Sequence, residues 1–169
     1  MNKMNPMQEL YIEKVVLHAT TADQEKLERY KKLLQYITKR TPTITKAKKR
    51  IQQFGIRKGL VIGCKVTLRK QYAVDILKLL LAAVKHKLKK SHVGEGVVNF
   101  GIKEYIQIPG IEYKRDIGIL GFDVSVVLAK KGKRIEYRKR SRGKLGKRQV
   151  VTRAETIEFL EKNFEVEVV

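Results

Sequence analysis

No acidic residue stands between Glu28 and Asp75. Within that gap lie Lys39, Arg40, Lys46, Lys48, Lys49, Arg50, Arg57, Lys58, Lys65, Arg69 and Lys70. A second block runs over 130–148, where Glu136 is the only acid. Neither stretch can neutralise itself along the chain, so its cations must sit on a surface while other segments supply a core. With 43% hydrophobic residues in 169, that core is available. A chain left unfolded by its charge would have far fewer apolar residues, and this length is that of one ordinary domain. The reading is a single domain over 1–169 with two long basic loops, at about 43–59 and 130–149.

The formal net charge is +21. A compact body carrying it repels itself unless a polyanion lies against it. Nucleic acid is the leading candidate and an anionic membrane surface the second. The membrane reading is weak. The best apolar run, 74–84, is interrupted by Asp75 and Lys78, far short of the roughly 18–20 apolar residues of a spanning helix. The first residues lack the apolar core of a secretory signal, and Asn2 stands where N-myristoylation needs glycine. Cys64 is the only cysteine, which excludes an intramolecular disulfide and a cysteine-cluster zinc site. It reads as a small core residue.

Residues 10–17 read as a first strand. Thr21 to Gln24 form a capping box with Thr21 as N-cap, opening a helix whose buried face is Leu27, Tyr30, Leu34 and Ile37. Pro42 forbids its continuation. Residues 43–59 are extended or looped, and 60–68 form a strand. A helix over 71–88 carries a stripe of Val74, Leu77, Leu81, Val84 and Leu88. Short alternating segments fill 97–108. A strand over 121–129 turns Phe122, Val124, Val126 and Leu128 to one face. A second capping box at Thr152 and Glu155 opens a last, acidic helix with Ile157, Leu160 and Phe164 on one side. This order argues for the α+β class, a mostly antiparallel sheet with helices packed on one face. The other face, or the long loops, is then free for RNA.

Enzymatic motifs are not evident. His18, His86 and His92 lack metal-ligand spacing, and the latter two read as surface imidazoles. The Gly94-Glu95-Gly96 run has no third glycine and no strand–helix context for a dinucleotide. A nucleic-acid enzyme would have to draw its carboxylates from Glu104, Asp116 or Asp123. No cofactor and no metal is expected.

The chemistry that is present is cationic. Lys46, Lys48, Lys49, Arg50, Arg57 and Lys58 are separated by hydroxyl, amide and apolar groups. Lysines supply point charges for phosphates, and Arg50 and Arg57 can bind them bidentately or stack on bases. Phe54 beside Gly55 could place a ring at a loop tip, against a base or ribose, or else sit in the core. In the second block, Arg138, Lys139, Arg140, Arg142, Lys144, Lys147 and Arg148 repel one another. That segment is expected to order only when phosphates neutralise it. Basic side chains outweigh stacking aromatics, which favours folded, largely double-stranded RNA read by shape and phosphate contacts.

Thr45-Lys-Ala-Lys-Lys-Arg-Ile51, Phe54-Gly-Ile-Arg-Lys-Gly59, Ile62-Gly63 and Lys65-Val-Thr-Leu-Arg69 occur in this order. They closely resemble the central signature of the large-subunit ribosomal protein five family. Asn99-Phe-Gly-Ile-Lys-Glu104 and Gly118-Ile-Leu-Gly-Phe-Asp123 resemble its archaeal and eukaryotic form, so the likeness covers nearly the whole chain. The resemblance implies a cytoplasmic structural protein of the ribosome's central protuberance. It implies binding to 5S rRNA and to the large-subunit (23S-type) rRNA. It implies that the loop with Lys48, Lys49, Arg50, Phe54, Arg57 and Lys58 approaches the P-site tRNA and a small-subunit head protein at an intersubunit bridge, beside neighbouring central-protuberance proteins. Thr67 matches a position associated with 5S rRNA. The chain departs from the family at His18-Ala19-Thr20 and Lys39-Arg40, where Asn with a Gly turn and Gly-Gln are usual. The amide contacts there are replaced by His18 and Arg40 or lost. Lys114-Arg115 replaces a common Asp-Pro. The alternative is a free RNA chaperone or regulatory RNA-binding module.

Overall fold

A computed structural model describes residues 5–169; Asn2 lies outside them. The strands are β1 (Leu10–Thr20), β2 (Thr43–Lys46), β3 (Val61–Leu68), β4 (Lys87–Leu88), β5 (Val97–Ile102), β6 (Phe122–Lys130) and β7 (Glu167–Val168). The helices are α1 (Gln24–Thr38), α2 (Lys70–Ala83), α3 (Arg134–Tyr137) and α4 (Arg153–Phe164). A mostly antiparallel sheet has the order β2-β3-β1-β6-β5, and β4 pairs with β7 in parallel. The α+β expectation is met. By packing, the residues fall into two compact units. Among the described residues the first comprises 5–15, Arg69–Phe100 and Ser125–Val169, and the second Val16–Leu68 and Gly101–Val124.

In the second unit, α1 starts later than the capping-box reading. Asp23 is the N-cap and accepts from the Glu25 N–H at 3.0 Å, while Thr21 only accepts from the Asp23 N–H. A carboxylate at the N-cap is favoured by the helix's positive end. The buried face is Leu27, Leu33, Leu34 and Ile37; Tyr30 is half-buried. The helix stops at Lys39, which takes a left-handed conformation (φ 47°) ahead of Pro42. It packs on β3. On β3, Cys64, Val66 and Leu68 point inward at 1%, 4% and 0% exposure, and the intervening Lys65 and Thr67 point outward. That alternation is the two-residue period of a strand with one covered face. The long loop before β6 is held by Tyr105, fully buried, whose hydroxyl accepts the Lys114 N–H at 2.9 Å.

In the first unit, α2 ends at Ala83, short of the predicted 88. Lys85 and His86 adopt φ of 56° and 55°, which breaks the helix although the apolar spacing runs on. Leu88 is buried as expected, but from β4. His86 is not a surface imidazole: its Nδ1 lies 3.0 Å from the Phe164 carbonyl, and His92 is also half-buried. The α4 capping box is as read, with Thr152 accepting from the Glu155 N–H and the Glu155 carboxylate accepting from the Thr152 N–H. Thr156, fully buried, donates to the Thr152 carbonyl and accepts from the Gly96 N–H at 3.1 Å. Leu160 and Phe164 are buried and Ile157 is half-buried.

Candidate nucleic-acid interface

The segment over 43–59 is more ordered than a loop. β2 and β3 pair antiparallel from Thr43 opposite Lys65 to Lys46 opposite Val61, with an irregularity after Thr45. Beyond the named strands the pairing continues. Ala47 N–H donates to the Leu60 carbonyl at 2.8 Å, Gly59 N–H to Ala47 at 2.9 Å, and Ile51 and Ile56 exchange bonds of 2.9 and 3.0 Å. Gln52 to Phe54 make one tight turn, closed by Gly55 at φ 64°, a conformation that suits glycine. The result is a long hairpin arm. Its main chain is bonded across at Ala47 and again at Ile51, and its cationic side chains are exposed.

On that arm Lys46, Lys48, Lys49, Arg50, Arg57 and Lys58 are all exposed, and no acid lies among them. Phe54 is 68% exposed at the tip, so its ring is not in the core. Ile44 and Ile51 are exposed beside it. An apolar ring surrounded by cations is suited to a base or ribose flanked by phosphates.

At the root of the arm, Lys65 is exposed and Thr67 half-buried on the outward face of β3. His18, half-buried on β1, points its Nε2 at Asp123 Oδ2, 3.7 Å away. An acid beside the imidazole repels phosphate, so His18 is better placed for a ribose hydroxyl than for a backbone anion. Arg40 is exposed just past α1. Of the carboxylates weighed for catalysis, Glu104, Asp116 and Asp123 are exposed. Burial pushes the Cys64 thiol up, an effect only partly offset by Lys31, as befits a core residue. Lys114, which adds charge relative to the expected pattern, sits with its ammonium 3.8 Å from the centre of the Tyr36 ring.

In the first unit, the second basic segment has local structure. It contains α3, and two of its arginines brace it. Arg138 Nε donates to the Ser141 carbonyl at 2.6 Å and Arg142 Nε to the Glu136 carbonyl at 2.5 Å. Arg138, Lys139, Arg140, Arg142, Lys144, Lys147 and Arg148 remain exposed. Arg134, missed in the sequence reading, joins Arg138, Lys139 and Arg140 around a cavity of about 680 Å³; charge density alone could have named it. Arg69, exposed, is the N-cap of α2. Lys130, the head of the block, is not a surface cation at all, being 6% exposed and bound to Glu155.

The chain matches two family profiles, ribosomal protein L5 over residues 5–57 and the C-terminus of the same ribosomal family over 61–165. The chain belongs to the ribosomal protein L5 family. Among similar proteins, the large ribosomal subunit protein uL5 of Pyrobaculum aerophilum is 49% identical over 98% of this chain and 94% of its own length. Those of Sulfurisphaera tokodaii and Archaeoglobus fulgidus are 43% and 42% identical, over 98% and 93% of this chain and 96% and 89% of theirs. As a member of this family, the chain is a structural, rRNA-binding protein of the large ribosomal subunit and not an enzyme. No helix among the described residues is long and apolar enough to cross a membrane.

Proposed function

We propose that this member of the L5 family fastens 5S rRNA to the large-subunit (23S-type) rRNA in the central protuberance. In this reading His18, Arg40, Lys65, Thr67 and Arg69 meet 5S rRNA. The hairpin arm, with Lys48, Lys49, Arg50, Phe54, Arg57 and Lys58, reaches toward the P-site tRNA and a small-subunit head protein. Arg138, Lys139, Arg140, Arg142, Lys144, Lys147 and Arg148 rest on rRNA phosphates, beside neighbouring proteins of the protuberance.

The observation that carries the reading is the arm. Six exposed cations and an exposed aromatic tip, without a carboxylate among them, are held on a hydrogen-bonded hairpin whose root presents Lys65 and Thr67. A surface of that charge repels itself, and a polyanion laid against it relieves the repulsion. Footprinting of 5S rRNA with the purified protein tests it. Protection is expected to be lost in a Thr67→Ala, Arg40→Ala double variant and kept in Lys131→Ala, whose ammonium is already engaged by Glu9. The opposite pattern would move the 5S site to the second basic segment. Co-sedimentation with large subunits at moderate salt separates this role from that of a free RNA chaperone, which would stay in the supernatant.

A further inference from the structure

The first unit holds a cavity of about 600 Å³, and of the residues that line it only Arg69 has a role above. Its volume is within the roughly 300–1,000 Å³ of sites that take small molecules. Two tyrosines line it: Tyr11, half-buried on β1, and Tyr137, 56% exposed at the end of α3. Lys14, Arg69 and Lys70 are the cations on its wall. Glu13 is its one acid. The Glu13 carboxylate is matched by Lys133, 3.2 Å from Oε2, an ion-pair distance without hydrogen-bond alignment, so that buried oxygen has no donor. Lys70 holds φ 60°, uncommon outside glycine, at the first residue of α2. Arg69, at the N-cap, makes no side-chain capping bond, so the positive end of α2 opens beside the same cations.

We propose that this cavity takes one unpaired nucleotide of an RNA, its base against the Tyr11 and Tyr137 rings and its phosphate on Arg69, Lys70 and the start of α2. Aromatic rings next to a cationic track are how proteins hold single-stranded nucleotides. Phosphates of a continuous duplex would need only a flat basic surface, whereas two phenol rings among cations match the base and phosphate of a single nucleotide. Burial raises the Tyr11 phenol first, with Tyr137 and Glu13 adding to the rise, so Tyr11 presents a neutral ring for stacking. The proposal rests on the rRNA-binding role and deepens it, because that role alone requires no flipped-out base.

The test uses the full-length protein and two RNA duplexes, identical except that one carries a single bulged 2-aminopurine and the other is fully paired. The bulged duplex is expected to bind roughly tenfold more tightly, the order expected of one stacked base, with quenching of the 2-aminopurine fluorescence. Tyr137→Phe should keep both effects. Tyr137→Ala should abolish the preference and the quenching while leaving the paired duplex bound as before, which also shows that the variant is folded. Equal binding of the two duplexes, or a preference that survives Tyr137→Ala, overturns the proposal and leaves the rRNA-binding role standing. Binding of neither duplex overturns both.

Discussion

The Lys130 ammonium lies 2.7 Å from Glu155 Oε1 inside the first unit, and it also donates to the Arg148 and Val150 carbonyls at 3.3 and 3.4 Å. It is 6% exposed. Burial alone would push the Glu155 carboxyl up. The hydrogen bond from Lys130, the Thr152 N–H, the Lys130 charge and the Thr152 hydroxyl together outweigh it and hold that carboxyl below its ordinary value. A group depressed by folding stabilises fully above its unfolded pKa, ~4.3 for Glu, and loses that contribution as pH falls through the folded value. The denaturation midpoint is therefore expected to drop below about pH 4, and Glu155→Gln should flatten that part of the profile. The same substitution strands a buried cation. Such losses run ~3–5 kcal/mol, and about 2 kcal/mol is expected here because the Glu155 side chain is 37% exposed. Urea titrations at neutral and acidic pH check both.

Gly63 and Gly55 should respond differently in kind to alanine. A Cβ at Gly63 would stand 2.7 Å from the Ala19 carbonyl oxygen and 2.8 Å from Thr45 Oγ1, while one at Gly55 meets nothing within 4 Å. Backbone cannot yield as a flexible side chain can, so Gly63→Ala should cost ~1–3 kcal/mol by overpacking. Gly55→Ala suffers only the left-handed backbone, ~1–2 kcal/mol, and should leave the β2–β3 register intact. Thermal melts and amide exchange of β3 distinguish the two.

RNA affinity should fall steeply with salt. Each phosphate neutralised contributes roughly 0.7–0.9 to the slope of log affinity against log salt. Replacing Lys48, Lys49 and Arg50 together by alanine should flatten that slope by roughly 2–3 without changing stability, since all three are exposed. Fluorescence anisotropy with tRNA, the proposed partner of the arm, across a salt series measures it; an unchanged slope would remove the arm from that interface.

Thr156 joins two segments with one hydroxyl. Thr156→Val keeps the shape but leaves the Gly96 N–H without its acceptor. An orphaned buried donor costs ~1–3 kcal/mol, and Thr156→Ser should recover most of it. Chemical denaturation of the three proteins decides.

Much of the fold was legible because it is written in short-range pattern. The Thr152–Glu155 capping box and the alternation of Phe122, Val124, Val126 and Leu128 need only a few residues to state. The failures are of another kind. Val84 and Leu88 continue an apolar stripe while the backbone at Lys85 and His86 has already left the helix, and spacing says nothing of φ. Thr21 and Asp23 are both competent caps, and only the path of the chain chooses between them. Charge density picked out the cations of the arm and of the second segment that the structure leaves exposed. It also counted Lys130 as surface, because its partner Glu155 lies far along the sequence. Tyr11 and Tyr137 escaped for the same reason, being inconspicuous until folding sets them around one cavity.

The paired main chain of the hairpin between β2 and β3 has a mechanical corollary. A slack loop would swallow any push at its tip, but a ladder of crosslinked strands behaves as a lever. If Phe54 and the Lys65–Thr67 root both meet RNA as proposed, a push at the tip would reach the root through the cross-bonds at Ile51 and Ala47.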